Sequence, residues 1–134
     1  MERYLGRYSD VIYAALRVVS GFLFACNGAH HLFWGAGQAD FSSPAEGLLA
    51  GIIELGGGSM IALGLKASIA AFIASGEMAV AYFKIHAPLG FLPLLNSGEL
   101  ATLYCFLFLY IASRGSSRFS IDATLARRGS RSPH

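Results

Sequence analysis

Residues 76–113 read GEMAVAYFKIHAPLGFLPLLNSGELATLYCFLFLYIAS. The stretch contains the end of one apolar helix, a loop marked by Pro88, Gly90, Pro93 and Gly98, and then a second apolar helix. The prolines and glycines forbid a single continuous helix through residues 86–98. Two carboxylates lie in or beside the apolar parts, Glu77 and Glu99. A charged side chain at the centre of a bilayer costs at least ~2.5 kcal/mol, so Glu77 needs a physical reason to be where it is.

The rest of the chain repeats that pattern. Of 134 residues, 54% are hydrophobic and 13% charged, against about 25% charged in soluble domains. A water-soluble fold of this length cannot hide so much apolar surface, whereas a hydrocarbon solvent removes the need to. Four apolar runs are expected to be helices, at about 11–33, 46–65, 67–85 and 99–113. Runs near ~20 residues, at 1.5 Å rise each, match a ~30 Å hydrocarbon core. Arg17 interrupts the first run and similar runs follow it, which argues against a cleaved signal peptide. Residues 34–45 are turn-rich, with Trp34 at the headgroup boundary. Residues 114–134 form a basic tail whose end is expected to be disordered.

With four spans, the N-terminal tail, the turn at Lys66 and the C-terminal tail share one side. That side holds Arg3, Arg7, Lys66, Arg114, Arg118, Arg127, Arg128 and Arg131, and the other has only Lys84. The positive-inside rule then places both termini in the cytoplasm. The expectation is one domain over residues 1–134, an all-α polytopic membrane protein built as an antiparallel four-transmembrane-helix bundle.

Orientation converts sequence position into depth. Cys26 and Asn27, Glu54, Glu77 and Cys105 all fall ~9–12 Å below the outer surface, with His30 and His31 ~3–5 Å below it. Arg17 stands alone in the inner half. Arg17, Ser20, Phe24, Asn27 and His31 recur every three or four residues, flanked by Gly21 and Gly28. The corresponding stripes are Gly47, Gly51, Glu54 and Gly58 in the second run and Ala70, Ala74, Glu77 and Ala81 in the third. Small residues let helix backbones approach in lipid, so these faces point inward. A buried polar layer follows, from Asn27, His30 or His31, Glu54 and Glu77, with Arg17 reaching up or snorkelling down. Two carboxylates in low dielectric cannot both ionise unpaired. Quinone sites and proton relays use this arrangement, and so, more simply, does interhelical hydrogen-bond glue.

Other residues are weighed similarly. Glu99 suits a helix N-terminus. Tyr82 and His86 suit interfacial anchoring. Cys26 and Cys105 share a depth, which allows a redox pair, although buried thiols are more often apolar filler. The spacing suggests neither a disulfide framework nor a metal site, and the basic residues leave no nucleic-acid footprint. No nucleophile–base pair identifies a catalytic residue.

The chain resembles the DoxX family of small four-span membrane proteins. The resemblance rests on Arg17 with Gly21-Phe22 and Asn27-Gly28, on Glu54 with Gly56-Gly57-Gly58 and Leu63-Gly64-Leu65, and on Glu77 to Tyr82. Further along it rests on His86, Pro88, Pro93, Asn96, Gly98-Glu99, Leu103-Tyr104 and Ser120-Ile121-Asp122. Gly115 to Phe119 departs from the family's usual turn, and His31 stands where relatives often carry Lys. The resemblance implies a bacterial or archaeal cytoplasmic membrane, and relatives linked to membrane oxidoreductases, including a subunit of thiosulfate:quinone oxidoreductase. The expected function is a quinone-linked redox subunit, not autonomous as an enzyme. Its expected ligand-binding or proton-relay residues are Arg17, Asn27, His30, His31, Glu54, Glu77, Tyr82, His86 and Glu99, and its expected partners are the lipid bilayer and a redox protein, with homo-oligomerisation open. The alternatives are a membrane scaffold or assembly partner and, behind it, a small transporter.

Overall fold

A computed structural model describes residues 1–34 and 43–130. Among them the chain is all-helical, with no strand. Helix α1 spans Ser9–Phe33 and is preceded by two short helical turns. The second helix, α2, runs Pro44–Leu63; the third, α3, runs Ala67–Leu89. A short turn, α4, covers Pro93–Asn96, α5 covers Glu99–Arg114, and α6 covers Ile121–Gly129. Three helices are long and apolar enough to cross a membrane, Arg3–Phe33, Pro44–Leu63 and Ala67–Leu89. Helix α5 has 16 residues, or ~24 Å, which is short of a ~30 Å hydrocarbon core. The turn-rich segment expected at residues 34–45 lies partly outside the described residues, as does the end of the tail.

Glycine zips α1 to α2. A methyl group on Gly28 would sit 2.2 Å from the Leu55 backbone nitrogen, and one on Gly58 would sit 2.5 Å from that of Ala25. Gly21 meets Ala62 as closely. The seven-residue spacings Gly21–Gly28 and Gly51–Gly58 are thus a contact surface, because packing between lipid-embedded helices relies on close approach and not on hydrophobic transfer. Helix α3 lays Ala67, Ala70, Ala71 and Ala74 inward and makes its main interface with α5. Between α1 and α5 the filling is different. Phe24 packs on Tyr104 and Phe108, with ring centroids 5.4 and 4.7 Å away, and Tyr13 meets Tyr110 edge-on. Large rings therefore hold these two backbones apart where glycines draw the other pair together. The residues turned outward include Val18, Phe22, Ile69, Phe72, Phe83, Leu103 and Phe106, a surface suited to hydrocarbon.

At one end the α2–α3 connection is a three-residue turn. Gly64 has φ of 70° and closes α2 with paired bonds, Gly64 N–H to Ile61 O and Leu65 N–H to Met60 O, the paired arrangement of a Schellman cap. The tail expected after Arg114 instead forms α6, capped by the Ser120 side chain and docked on that turn. Asp122 accepts from the Lys66 N–H at 2.9 Å and from the Ser116 hydroxyl at 2.6 Å, while its own N–H donates to Gly64 O. Those bonds, the Ser116 hydroxyl first, hold the Asp122 carboxyl below its ordinary range.

At the opposite end, residues 87–98 do not pack their apolar side chains on protein. Leu89, Phe91, Leu94 and Leu95 face outward. The loop is held by its polar hub, buried Asn96, whose amide donates to Gly90 O and to the Tyr82 hydroxyl and accepts from Gly98 N–H. Tyr82 donates onward to Phe91 O.

Candidate functional site

Arg17 is 1% exposed and lies at the α2–α3 turn end. It donates to Ile61 O, Ala62 O and Phe119 O at 2.5, 3.0 and 2.8 Å. The first two are carbonyls of the last turn of α2, which carry its negative dipole end; Ile61 O also accepts from the capping Gly64 N–H. Arg17 therefore satisfies a helix terminus and ties the α5–α6 loop to it. It does not join the polar layer: fourteen residues separate it from His31, ~21 Å along α1.

The other ionisable residues do gather. Glu54 is 3% exposed, and its Oε2 lies 2.6 Å from His31 Nδ1. Glu77 approaches from α3, and its Oε2 is buried with no hydrogen-bond partner among the described residues. Around them is a cavity of about 280 Å³ lined by Asn27, His31, Glu54, Glu77, His86 and Tyr104, with Met78, Ala81, Ala101 and Leu100 supplying apolar wall. Four helices contribute: α1 gives Asn27 and His31, α2 gives Glu54, α3 gives Glu77 and His86, and α5 gives Tyr104.

Two local features position these groups. Residues Ile53–Gly57 and Tyr82–His86 are π-helical turns. Such turns add a residue to the winding and are frequent at functional sites. One carries Glu54 and the other carries Tyr82 and His86. At the second, the His86 ring is fixed by a 3.0 Å bond between Nδ1 and Asn96 O.

Of the residues anticipated from the sequence, Asn27, His31, Glu54, Glu77 and His86 meet at the cavity. Tyr82 stands just behind it, bracing the 87–98 loop through Asn96. His30 is exposed and does not line it. Glu99 is exposed in the first turn of α5. Cys26 and Cys105 are both free thiols; Cys26 is exposed, while Cys105 packs its sulfur 3.7 Å from the Ser75 hydroxyl of α3. Tyr104 was missed. Its ring stacks on Phe108 at 5.2 Å while also bordering the cavity. The available signal was its depth, next to Cys105 in the same turn. No group of three His, Cys, Asp or Glu side chains suited to a metal ion occurs among the described residues.

Chemically, the cavity offers a carboxylate already paired with an imidazole, a second carboxylate with an oxygen left over, a phenol and an amide. It can hydrogen-bond a small polar ring and share a proton across the Glu54–His31 pair. Comparison with known proteins agrees with the membrane character of the helices. The DoxX family profile matches residues 12–87. An uncharacterized protein of Haemophilus influenzae is 38% identical over 126 residues, covering 88% of this chain and 93% of its own. No solved structure matches. With a family match across more than half its length, and a relative aligned over most of it, the chain belongs to the DoxX family of membrane proteins.

Proposed function

We propose that this chain is the membrane-embedded ligand-binding subunit of a quinone-linked redox system. In this reading α5 joins the three longer helices as a fourth span, both termini face the cytoplasm, and the cavity opens in the outer half of a bacterial or archaeal cytoplasmic membrane. The basic residues grouped at the Arg17 end support that orientation. The observation that carries the reading is the unpartnered Glu77 Oε2 beside the paired Glu54 and His31, on a cavity of about 280 Å³. That volume is just under the ~300 Å³ lower bound of ordinary ligand pockets, so it suits a ring headgroup whose tail lies in lipid. A quinone supplies carbonyl acceptors and, when reduced, hydroxyl donors and two protons to be moved. Tyr104 and Asn27 orient the ring, Glu77 takes or gives the proton at its free oxygen, and the Glu54–His31 pair connects that point to the exposed edge of His31. A buried polar group without a partner costs roughly 1–3 kcal/mol, and a ligand hydroxyl removes that cost.

The test is a fluorescence-quenching titration of the purified full chain with a short-tail ubiquinone analogue. Saturable binding is expected, weakened at least about tenfold, the equivalent of one lost hydrogen bond to a charged group, in Glu77→Gln. Binding that never saturates, or that Glu77→Gln leaves unchanged, would overturn the assignment.

A further inference from the structure

A second crevice, of about 390 Å³, lies at the opposite end of the molecule, between the start of α1 and the α5–α6 loop, lined by Asp10, Tyr13, Arg114, Ser116, Ser117 and Arg118. We propose that it binds a phosphate group, presented by an anionic phospholipid headgroup or by free phosphate.

Two guanidiniums converge there on a single carboxylate. Arg114 Nη2 lies 3.1 Å from Asp10 Oδ1, and Arg118 Nη2 lies 2.6 Å from Asp10 Oδ2. One positive charge is left uncompensated, and each oxygen of Asp10 is held by a different arginine. That is how two arginines hold neighbouring oxygens of a phosphate. Asp10 thus occupies the anion position from within the chain. Arg114 is preorganised: its guanidinium lies 4.3 Å over the Tyr13 ring and donates to the Tyr110 hydroxyl at 3.0 Å. Tyr13 is itself fixed by its bond to Gly115 O at 2.6 Å. Among the described residues, nothing accepts from the backbone N–H groups of Ser116, Ser117 and Arg118, the three residues that complete the wall. Successive free N–H groups of this kind suit an anion. Arg118, whose side chain is 62% exposed, is free to swing from Asp10 to an arriving phosphate. Outward-facing Tyr110, whose hydroxyl accepts from Arg114, and Val11 and Ile12, next to Asp10 in the chain, offer acyl chains apolar surface. A pair kept only for stability needs one arginine per carboxylate, and this cluster has two. The proposal stands apart from the cavity at Glu77 and does not depend on it.

The test is native mass spectrometry of the detergent-solubilised full chain with equimolar phosphatidylglycerol and phosphatidylcholine, then with inorganic phosphate as competitor. Phosphatidylglycerol is expected to be retained about tenfold better than phosphatidylcholine, a preference worth one charge-assisted contact. Arg118→Gln should abolish the preference. Asp10→Asn should strengthen it about threefold or more, because the internal competitor has lost its charge. Displacement by inorganic phosphate would show that the phosphate group alone is recognised; failure of phosphate to compete would assign the site to the lipid-borne headgroup. Equal retention of the two lipids by the unaltered chain, or a preference indifferent to both substitutions, would overturn the proposal.

Discussion

The two ends of the bundle treat ionisable side chains in opposite ways. At the α2–α3 turn, Arg17 spends three of its donors on backbone carbonyls, leaving its buried Nε without a partner among the described residues, and Asp122 collects the Lys66 N–H and the Ser116 hydroxyl. Neither residue lines the cavity at Glu77 or the crevice at Asp10. At the other end Glu54 has one imidazole, Glu77 has an oxygen with no partner among the described residues, and both face an open volume. A polar group closed onto backbone serves the fold. One left facing a void is set for something that arrives. The contrast shows that an intramembrane charge is not by itself a functional signal, and that what its hydrogen-bonding atoms point at decides.

The comparison can be broken, in order of expected effect. Gly28→Leu should be the most damaging change, since even a methyl there collides with Leu55 N and Gly51 O. Overpacking typically costs 1–3 kcal/mol and more when backbone must move, so a loss of about 4 kcal/mol, or no folded protein, is expected in denaturation of the purified chain. Arg17→Gln should cost about 3 kcal/mol, because removal of a buried hydrogen-bonded charge takes a donor from the Ile61, Ala62 and Phe119 carbonyls. If the variant unfolds like the unaltered chain but loses ligand binding, the division between the two ends fails.

Asp122 sharpens the same contrast through pH. Its carboxyl is held below the ordinary value in the folded chain, so it contributes stability that is complete above about pH 4 and disappears as pH falls through the lowered folded value. Unfolding midpoints measured from pH 6 down to pH 3 should therefore fall more steeply for the unaltered chain than for Asp122→Asn, with the variant lower by about 1 kcal/mol at neutral pH. Parallel curves would mean that the docking of α6 owes nothing to this carboxylate.

Much of the helical frame was legible. Gly21, Gly28, Gly51 and Gly58 announce a close contact because only their spacing puts bare backbone on one face of each helix. The common depth of Asn27, Glu54 and Glu77 followed from counting along antiparallel spans, whereas His31 was placed nearer the surface, and its Nδ1 nonetheless reaches Glu54 Oε2. What stayed hidden depends on partners that side-chain patterns do not mark. Arg17 binds carbonyls, one of them 102 residues away at Phe119, and every residue has a carbonyl. The π turns at Glu54 and at Tyr82 to His86 leave no periodicity of their own. The nine residues of α6 are too polar to stand out as a helix against a basic tail, although Ser120 followed by Asp122 is a fair N-terminal signal. The Asn96 hub was invisible because its partners, Gly90 O and Gly98 N–H, are backbone as well.

The central claim is that Glu77 is kept for a ligand and not for the fold. Thermal unfolding of the unaltered chain and of Glu77→Gln, each with and without a saturating short-tail ubiquinone analogue, tests it in one experiment. The account predicts that Glu77→Gln melts at or above the unaltered chain without ligand, and that the analogue raises the midpoint of the unaltered chain more than that of the variant. A Glu77→Gln variant that melts lower on its own, yet gains as much from the analogue, would contradict it.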